Sequence, residues 1–412
     1  VADFTFLHAA DLHLDSPLRG LDRDAPVDLI RGATRAALKN LVDTALERRP
    51  AFLLLAGDIF DGDARDWRTG QFLVQQLARL TREGIEIVAI SGNHDAEQVL
   101  TRKLPMPYLL SAKKPETRRL TTAPVAVHGQ SFATRVTTEN LAAAYPARAD
   151  GLFNIGLLHT ACGQGGHENY APCTIEDLAR LEYDYWALGH VHIRQTLCTN
   201  PWIIFPGNLQ GRHVKEDGDK GATLVTVKAG RVVPDPEHIP LDVVRWRRQP
   251  VDVTGAESQQ AVLDRVAFAL DQAALLAQDR MLVVRLTLTG ECPIHADLAR
   301  TPERLRQDIR AAATEIAGPE ELWIEDVQLE TTPAVDLAAL RAQPGPIGAL
   351  IRSLEAPVTP DAGLQSFVAD QLKRADIEFD PAHAALAIAA GEIPLDVLER
   401  ARALVLAELS RT

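Results

Sequence analysis

Five short apolar runs in this chain stop on an acid, a histidine or an asparagine, and that recurrence limits the possible folds more than any other feature. They are "FTFLHAADLH" at 4–13, "AFLLLAGD" at 51–58, "IEIVAISGNHD" at 85–95, "FNIGLLH" at 153–159 and "YDYWALGHVH" at 183–192. Runs of this length, closed by Gly or polar residues, read as buried strands. Setting Asn93, His94 and Asp95 at the mouth of such a strand is costly unless something satisfies them. A hydrogen-bonded Asx turn would do so for that one tetrapeptide. Five similar strand ends point instead to a shared site, because sites in open α/β sheets form outside the carboxyl ends of the strands.

Further runs, "VAVHG", "WIIFPGN" and "ATLVTVKAG", extend the strand rhythm, and 27–49 and 66–83 read as helices between the first three runs. That alternation implies stacked sheets with helices outside. A smaller βαβαβ-like unit follows from about 249 to 332, with "MLVVRLTLTG" and "LWIEDVQLETT" as strands and helices from Glu257 and Thr301. Residues 333–412 carry no strand signal and are broken by "QPGP", "APVTP" and "FDPAH" into helical pieces. The expected fold is thus α/β: a two-sheet sandwich flanked by helices over 1–248, a small α/β capping domain over 249–332, and a helical region over 333–412.

Composition sets the outer limits. With 412 residues, 46% hydrophobic and 24% charged, the chain is an ordinary globular protein with ample core. The opening "VADFTFLHAADLH" shows no secretory signal, no run reaches membrane-spanning length, and the four cysteines are scattered, so reduced thiols in the cytoplasm are expected. The net charge of −13 is uneven: residues 1–250 hold 29 Lys+Arg against 30 Asp+Glu, and residues 251–412 hold 14 against 26. Cations held by carboxylates of the first part would turn its working charge positive.

The strand ends supply seven N and O donors: Asp11, His13, Asp58, Asn93, His159, His190 and His192. Mixed imidazole and carboxylate ligation suits manganese, iron or zinc better than magnesium. Seven donors exceed the needs of one tetrahedral zinc site and fit two metals sharing a carboxylate.

The ordered blocks D-x-H at 11–13, G-D at 57–58, G-N-H-D at 92–95, His159 and G-H-x-H at 189–192 resemble the calcineurin-like metallophosphoesterase superfamily. With "HAADLHLD", "AGDIFD", "LGHVHIRQ" and "FPGNLQGRH", the resemblance narrows to SbcD-type DNA double-strand-break repair exonucleases, in their YhaO-like branch. It implies that Asp11, His13, Asp58 and His192 hold one divalent metal, and that Asp58, Asn93, His159 and His190 hold the other. Manganese is the expected ion. It also implies that His94 contacts the scissile phosphate and that Asp95 orients His94. Where many nuclease members follow D-x-H with x-G, this chain has Leu14-Asp15. Asp15 and Asp61 read as loop residues, with a supporting role at the site as the alternative. Arg212, His213 and Lys215, in "GRHVKEDGDKG", read as a loop near the site and, like Lys113–Arg119 and Arg245–Arg248, as a basic cluster whose default reading is solvated surface; if the substrate is DNA, at least one of them tracks its phosphate backbone, and the Arg212–Lys215 loop is the expected contact.

The resemblance further implies an SbcC-like ATPase partner docked on C-terminal helices, and dimers for which helices 27–47 or 66–83 could pack across a two-fold axis. Two stripes, Leu364, Phe367, Val368, Leu372 and Ala375, then Leu395, Leu398, Ala401, Val405 and Leu409, read as amphipathic faces that bind the partner or pack together. Two rivals to a nuclease remain: a small-nucleotide phosphodiesterase with the same five blocks, and a non-catalytic scaffold that binds DNA or an ATPase. Extra chain length favours the nuclease over the first, and filled ligand positions disfavour the second. A phosphoprotein phosphatase fits poorly, since Gly57–Asp63 lacks the D-R-G ending and the asparagine block ends in Asp95.

Overall fold

The computed structural model describes residues 3–16, 30, 32–61, 66–96, 106–163 and 170–334. The expected helices of the 333–412 region, with both apolar stripes, lie outside these. The described residues pack as two units, one of residues up to 249 with 271–285 and 313–326, the other of 250–270, 286–312 and 327–334.

The first unit begins with β1 (Phe4–Ala9), α1 (Ala33–Arg48), β2 (Phe52–Ala56), α2 (Trp67–Arg82) and β3 (Glu86–Ile90). The three strands run parallel, with Phe6 beside Phe52 and Leu54 beside Val88. Later strands complete this sheet: β10 (Gly221–Lys228) lies antiparallel to β1, and β11 (Arg231–Val232) and β12 (Glu237–Pro240) both pair with β10. The second sheet is built from β4 (Glu116–Arg119), β5 (Val125–Gly129), β6 (Phe153–His159), β7 (Tyr185–Gly189), β8 (Gln195–Thr199) and β9 (Trp202–Phe205), in the order β4-β5-β6-β7-β9-β8. Its inner strands are parallel and its two edges antiparallel. A five-residue helix, α3 (Ile175–Ala179), opens on a capping box in which Thr174 and Asp177 exchange side-chain and backbone hydrogen bonds.

Period-two alternation decides which layer each side chain joins. On β2, Phe52, Leu54 and Ala56 enter the core between the sheets with Phe6, Val88, Val127, Ile155, Leu157 and Tyr185. Leu53 and Leu55 face the other way, onto Leu38, Leu41, Leu73 and Leu77 of α1 and α2. The outer face of the second sheet buries Trp186, Leu188 and Phe205 against Tyr145, Leu178 and Tyr183. Two packed sheets with helices outside are the expected α/β sandwich. His8 on β1 joins the layers, its ring nitrogens 3.0 Å from Tyr185 Oη and 3.1 Å from the Leu188 carbonyl oxygen.

Over residues 244–334 the elements are β13 (Val244–Asp252), α4 (Gln259–Leu276), β14 (Met281–Cys292), α5 (His295–Arg300), α6 (Pro302–Ile316) and β15 (Leu322–Pro333). The strand order is β13-β14-β15. In the second unit Gln259 Nε2 donates to Asp308 Oδ2 at 2.6 Å, and His295 Nδ1 lies 2.8 Å from Thr331 Oγ1. Among the described residues, no helix is long and apolar enough to cross a membrane.

Candidate metal centre

The carboxyl ends of five parallel strands, three in one sheet and two in the other, meet at one edge of the sandwich. Beyond β1 come Asp11 and His13, beyond β2 Asp58, and beyond β3 Asn93 and His94; β6 ends on His159, and β7 leads to His190 and His192. Backbone bonds splice the loops: Asp11 N–H donates to the Gly57 carbonyl and His13 N–H to that of Asp58, both at 3.0 Å. The price is left-handed backbone, with φ of 52° at Asp11, 41° at His13, 49° at Asp58 and 104° at His190. Each such residue costs about 1–3 kcal/mol, and strain gathered at one place marks a functional site. Close approach also explains Gly92 and Gly189, where a Cβ would overlap Asp58 Oδ1 and the Ala56 carbonyl oxygen respectively.

Side chains converge around Asp58. Its Oδ2 is 3.8 Å from His13 Nε2 and 3.5 Å from His159 Nε2, while its Oδ1 accepts from the His94 N–H at 2.9 Å. On one side His13 Nε2 lies 3.1 Å from His192 Nε2, and that nitrogen is 3.9 Å from Asp11 Oδ1. On the other, His159 Nε2 lies 3.0 Å from Asn93 Oδ1, and the His159 and His190 rings are 5.2 Å apart. Among the described residues, three overlapping groups have ligand atoms within metal-binding reach: Asp11–His13–His192, His13–Asp58–His94 and Asp58–His159–His190. All seven sequence-predicted donors are brought together, and His94 stands beside them.

The donor set fits divalent cations. Asp11, His13, Asp58, Asn93 and His159 are buried, so acceptors and imidazoles face each other away from water. Burial, and then the charge of Asp58, push the Asp11 carboxyl well above its ordinary range. Burial also lowers His13 and His159 to about 3, which keeps both imidazoles neutral and able to ligate. His159 Nδ1 is 2.9 Å from the Ala56 carbonyl oxygen; donating there leaves the Nε2 lone pair directed at Asp58 and Asn93.

Asp95 requires a correction, because its carboxylate does not orient His94. Both oxygens of this buried side chain accept backbone N–H groups, from Ile59 and Gly92 at 3.0 Å and from Phe60 at 2.9 Å. Asp95 therefore ties the β2 loop to the β3 loop. Asp61 takes the expected place, with Oδ1 3.1 Å from His94 Nδ1 and Oδ2 accepting from Ser16 Oγ at 2.7 Å. That contact raises the proton affinity of His94. Asp61 is thus a wall of the site and not merely a loop residue. Asp15, by contrast, is spent on Arg35 at 2.7 Å and on Thr69, joining the strand end to α1 and α2.

The 208–220 loop departs from its expected role as an open DNA contact. Trp246 Nε1 donates to the Gly211 carbonyl at 2.9 Å and braces it. Arg212 turns inward, pairing with Glu216 at 3.0 Å and standing 4.0 Å from Asp61, with its side chain 14% exposed. His213 Nε2 lies 3.7 Å from Glu216, and buried Lys220 donates to the His192 carbonyl at 3.0 Å. Lys215 is exposed. Glu216, which sequence reasoning passed over, is buried with Oε1 2.7 Å from His192 Nδ1. Its only signal was an acid inside a basic segment beside the strand-end motifs. Of the other clusters, Arg245 is buried on Asp242 at 3.0 Å and Arg248 donates to the Val214 carbonyl at 3.2 Å.

Residues 4–194 match the family of calcineurin-like phosphoesterases, and residues 246–332 match the middle domain of metallophosphoesterase YhaO. The chain is 36% identical over 344 residues to the metallophosphoesterase YhaO of Bacillus subtilis (strain 168), itself uncharacterized, covering 80% of this chain and 82% of that one. It is 27% identical over 298 residues to the DNA double-strand break repair protein Mre11 of Methanopyrus kandleri, covering 63% and 61%. It is 26% identical over 331 residues to a component of the SbcCD nuclease of Rhodobacter capsulatus, covering 65% and 76%.

Proposed function

Because the chain belongs to the calcineurin-like metallophosphoesterases of the YhaO type, we propose that it is a two-metal phosphodiesterase whose substrate is DNA. The observation that carries this reading is Asp58, whose Oδ2 lies within 4 Å of imidazoles from both halves of the site. Asp11, His13, Asp58 and His192 would hold one divalent ion, manganese by preference, and Asp58, Asn93, His159 and His190 the other. When bound, such ions acidify a water and stabilise charge on the phosphoryl oxygens.

The chain's own residues supply the rest. His94, held at Nδ1 by Asp61, is placed to give a proton to the departing oxygen. Arg212 adds a positive charge beside the same centre for the phosphodiester anion. Similarity to Mre11 and to the SbcCD nuclease component supports DNA as substrate and, with it, an SbcC-like ATPase partner; a homodimer and a cytoplasmic setting are part of the same proposal. The division into a phosphoesterase domain at 1–248, a DNA-binding or capping domain at 249–332 and a partner-binding region at 333–412 belongs to the same proposal.

End-labelled duplex and single strands, incubated with manganese, magnesium or zinc, test this reading. Metal-dependent release of nucleotides is expected. The inward turn of Arg212, Lys220 and Arg245 favours a second reading, hydrolysis of a small nucleotide diester, since it removes basic charge from the surface. Turnover of a chromogenic diester with no degradation of any DNA would select it.

A further inference from the structure

Glu216 is an acid with four hydrogen bonds, from three residues, and almost no solvent. Its side chain is 6% exposed, whereas Asp219 in the same loop is 52% exposed. Its Oε2 accepts from Asn208 Nδ2 at 2.8 Å and from the Arg212 N–H at 2.7 Å. Its Oε1 accepts from the Arg212 guanidinium at 3.0 Å and meets His192 Nδ1 at 2.7 Å. A carboxylate so fully engaged can neither rotate nor give up its charge cheaply.

This arrangement settles the tautomer of His192. Arg212 Nη2 also lies 3.1 Å from Nδ1, but a guanidinium only donates and a carboxylate only accepts, so Nδ1 cannot serve both. A bare Nδ1 would set two acceptors 2.7 Å apart at Glu216, which is repulsive; a protonated Nδ1 makes that shorter contact a charge-assisted hydrogen bond. The proton therefore sits on Nδ1, and the Nε2 lone pair is directed toward His13 and Asp11. The backbone is held too, since Lys220 Nζ donates to the His192 carbonyl at 3.0 Å. His159 on the other side of the site makes the equivalent bond to a neutral backbone carbonyl, so the two halves differ in the charge behind their histidines.

We propose that Glu216 is a positioning residue for His192: it holds the ring in the Nδ1-protonated form and strengthens the grip of the Asp11–His13–His192 half-site on its ion. This rests on reading those three residues as ligands. Carboxylates behind metal-bound histidines commonly set metal affinity by 10- to 100-fold.

The test uses the full chain, stripped with chelator and titrated with manganese, as wild type and as Glu216→Gln and Glu216→Asp. Wild type should bind two ions. In Glu216→Gln one of the two affinities should fall about 10- to 100-fold with the other unchanged, and Glu216→Asp should recover part of the loss. In ¹⁵N-histidine spectra of the metal-free chain, the His192 signal, assigned by its loss in His192→Asn, should report Nδ1–H in wild type and a tautomer mixture in Glu216→Gln. The melting midpoint in chelator should stay near wild type. Two wild-type affinities and an unchanged tautomer in Glu216→Gln would overturn the proposal. So would equal weakening of both ions with a lowered midpoint in chelator, or failure of both variants to fold, since Glu216 would then be purely structural. A wild-type chain that binds no pair of ions would instead overturn the two-metal reading beneath it.

Discussion

His94 Nδ1 lies 3.1 Å from Asp61 Oδ1, while the acid next to His94 in the chain, Asp95, is turned onto the N–H groups of Ile59, Phe60 and Gly92. Two carboxylates near one histidine thus divide into a chemical partner and a loop clamp. Asp61→Asn should lower diester turnover roughly 10- to 100-fold, a part of what a positioned acid contributes. Asp95→Asn should lose about 1–3 kcal/mol in denaturant unfolding, because an amide cannot accept all three backbone donors. Equal turnover for Asp61→Asn and the parent would remove Asp61 from the chemistry.

Asp58→Ala should lose both ions, since it is the carboxylate within reach of both halves, and turnover should vanish with them. His94→Ala should retain two ions and lose roughly 10²- to 10⁴-fold in rate. Metal analysis of the two purified variants beside their turnover separates ligand from acid. Adding manganese to the stripped parent should raise its melting midpoint, because ions that bind only the folded chain stabilise it.

Acid sensitivity should come partly from His8. Burial lowers its pKa to about 3 between Tyr185 and Leu188, against the usual 6.5 in the unfolded chain. Between those values the unfolded state binds more protons, so stability is complete above about pH 6.5 and falls as pH drops toward 3. At pH 5 the loss from this residue is about 2 kcal/mol. Unfolding of the stripped chain at pH 7 and pH 5 should therefore show a smaller difference in His8→Gln than in the parent. An equal difference would mean that His8 takes up its proton in the folded chain.

Arg212 and Lys215 should behave differently despite their proximity. Arg212→Gln should slow a small chromogenic diester as well as DNA, because its guanidinium lies in the site beside Glu216 and Asp61. Lys215→Glu, on an exposed side chain, should leave the small diester unchanged, weaken duplex binding and reduce the salt dependence by roughly one phosphate contact. Indifference of duplex binding to Lys215→Glu at low salt would take DNA off this surface.

Much of the fold was legible along the chain. The core strands β1, β2, β3, β6 and β7 declare themselves as apolar runs, and their polar last residues identify the edge where the site forms. The edge strands β4, "ETRR", and β8, "QTLCT", gave no such sign, because strands paired on one side carry half-exposed polar side chains. The short α5 was likewise invisible, since it has no capping side chain and buries only Leu298.

By itself the sequence determined the donor types, their order and their position at strand ends, because strand periodicity and the carboxyl-end rule act over a few neighbouring residues. Only the tertiary structure decided the partners of those donors. His94 meets Asp61 across 33 residues of chain and His192 meets Glu216 across 24, so loops from different strands choose the contact and adjacency does not. Arg212 and Asp95 turned inward for the same reason: a buried charge or N–H must be satisfied by whatever the packed sheets bring within about 3 Å, and no local pattern records what that will be.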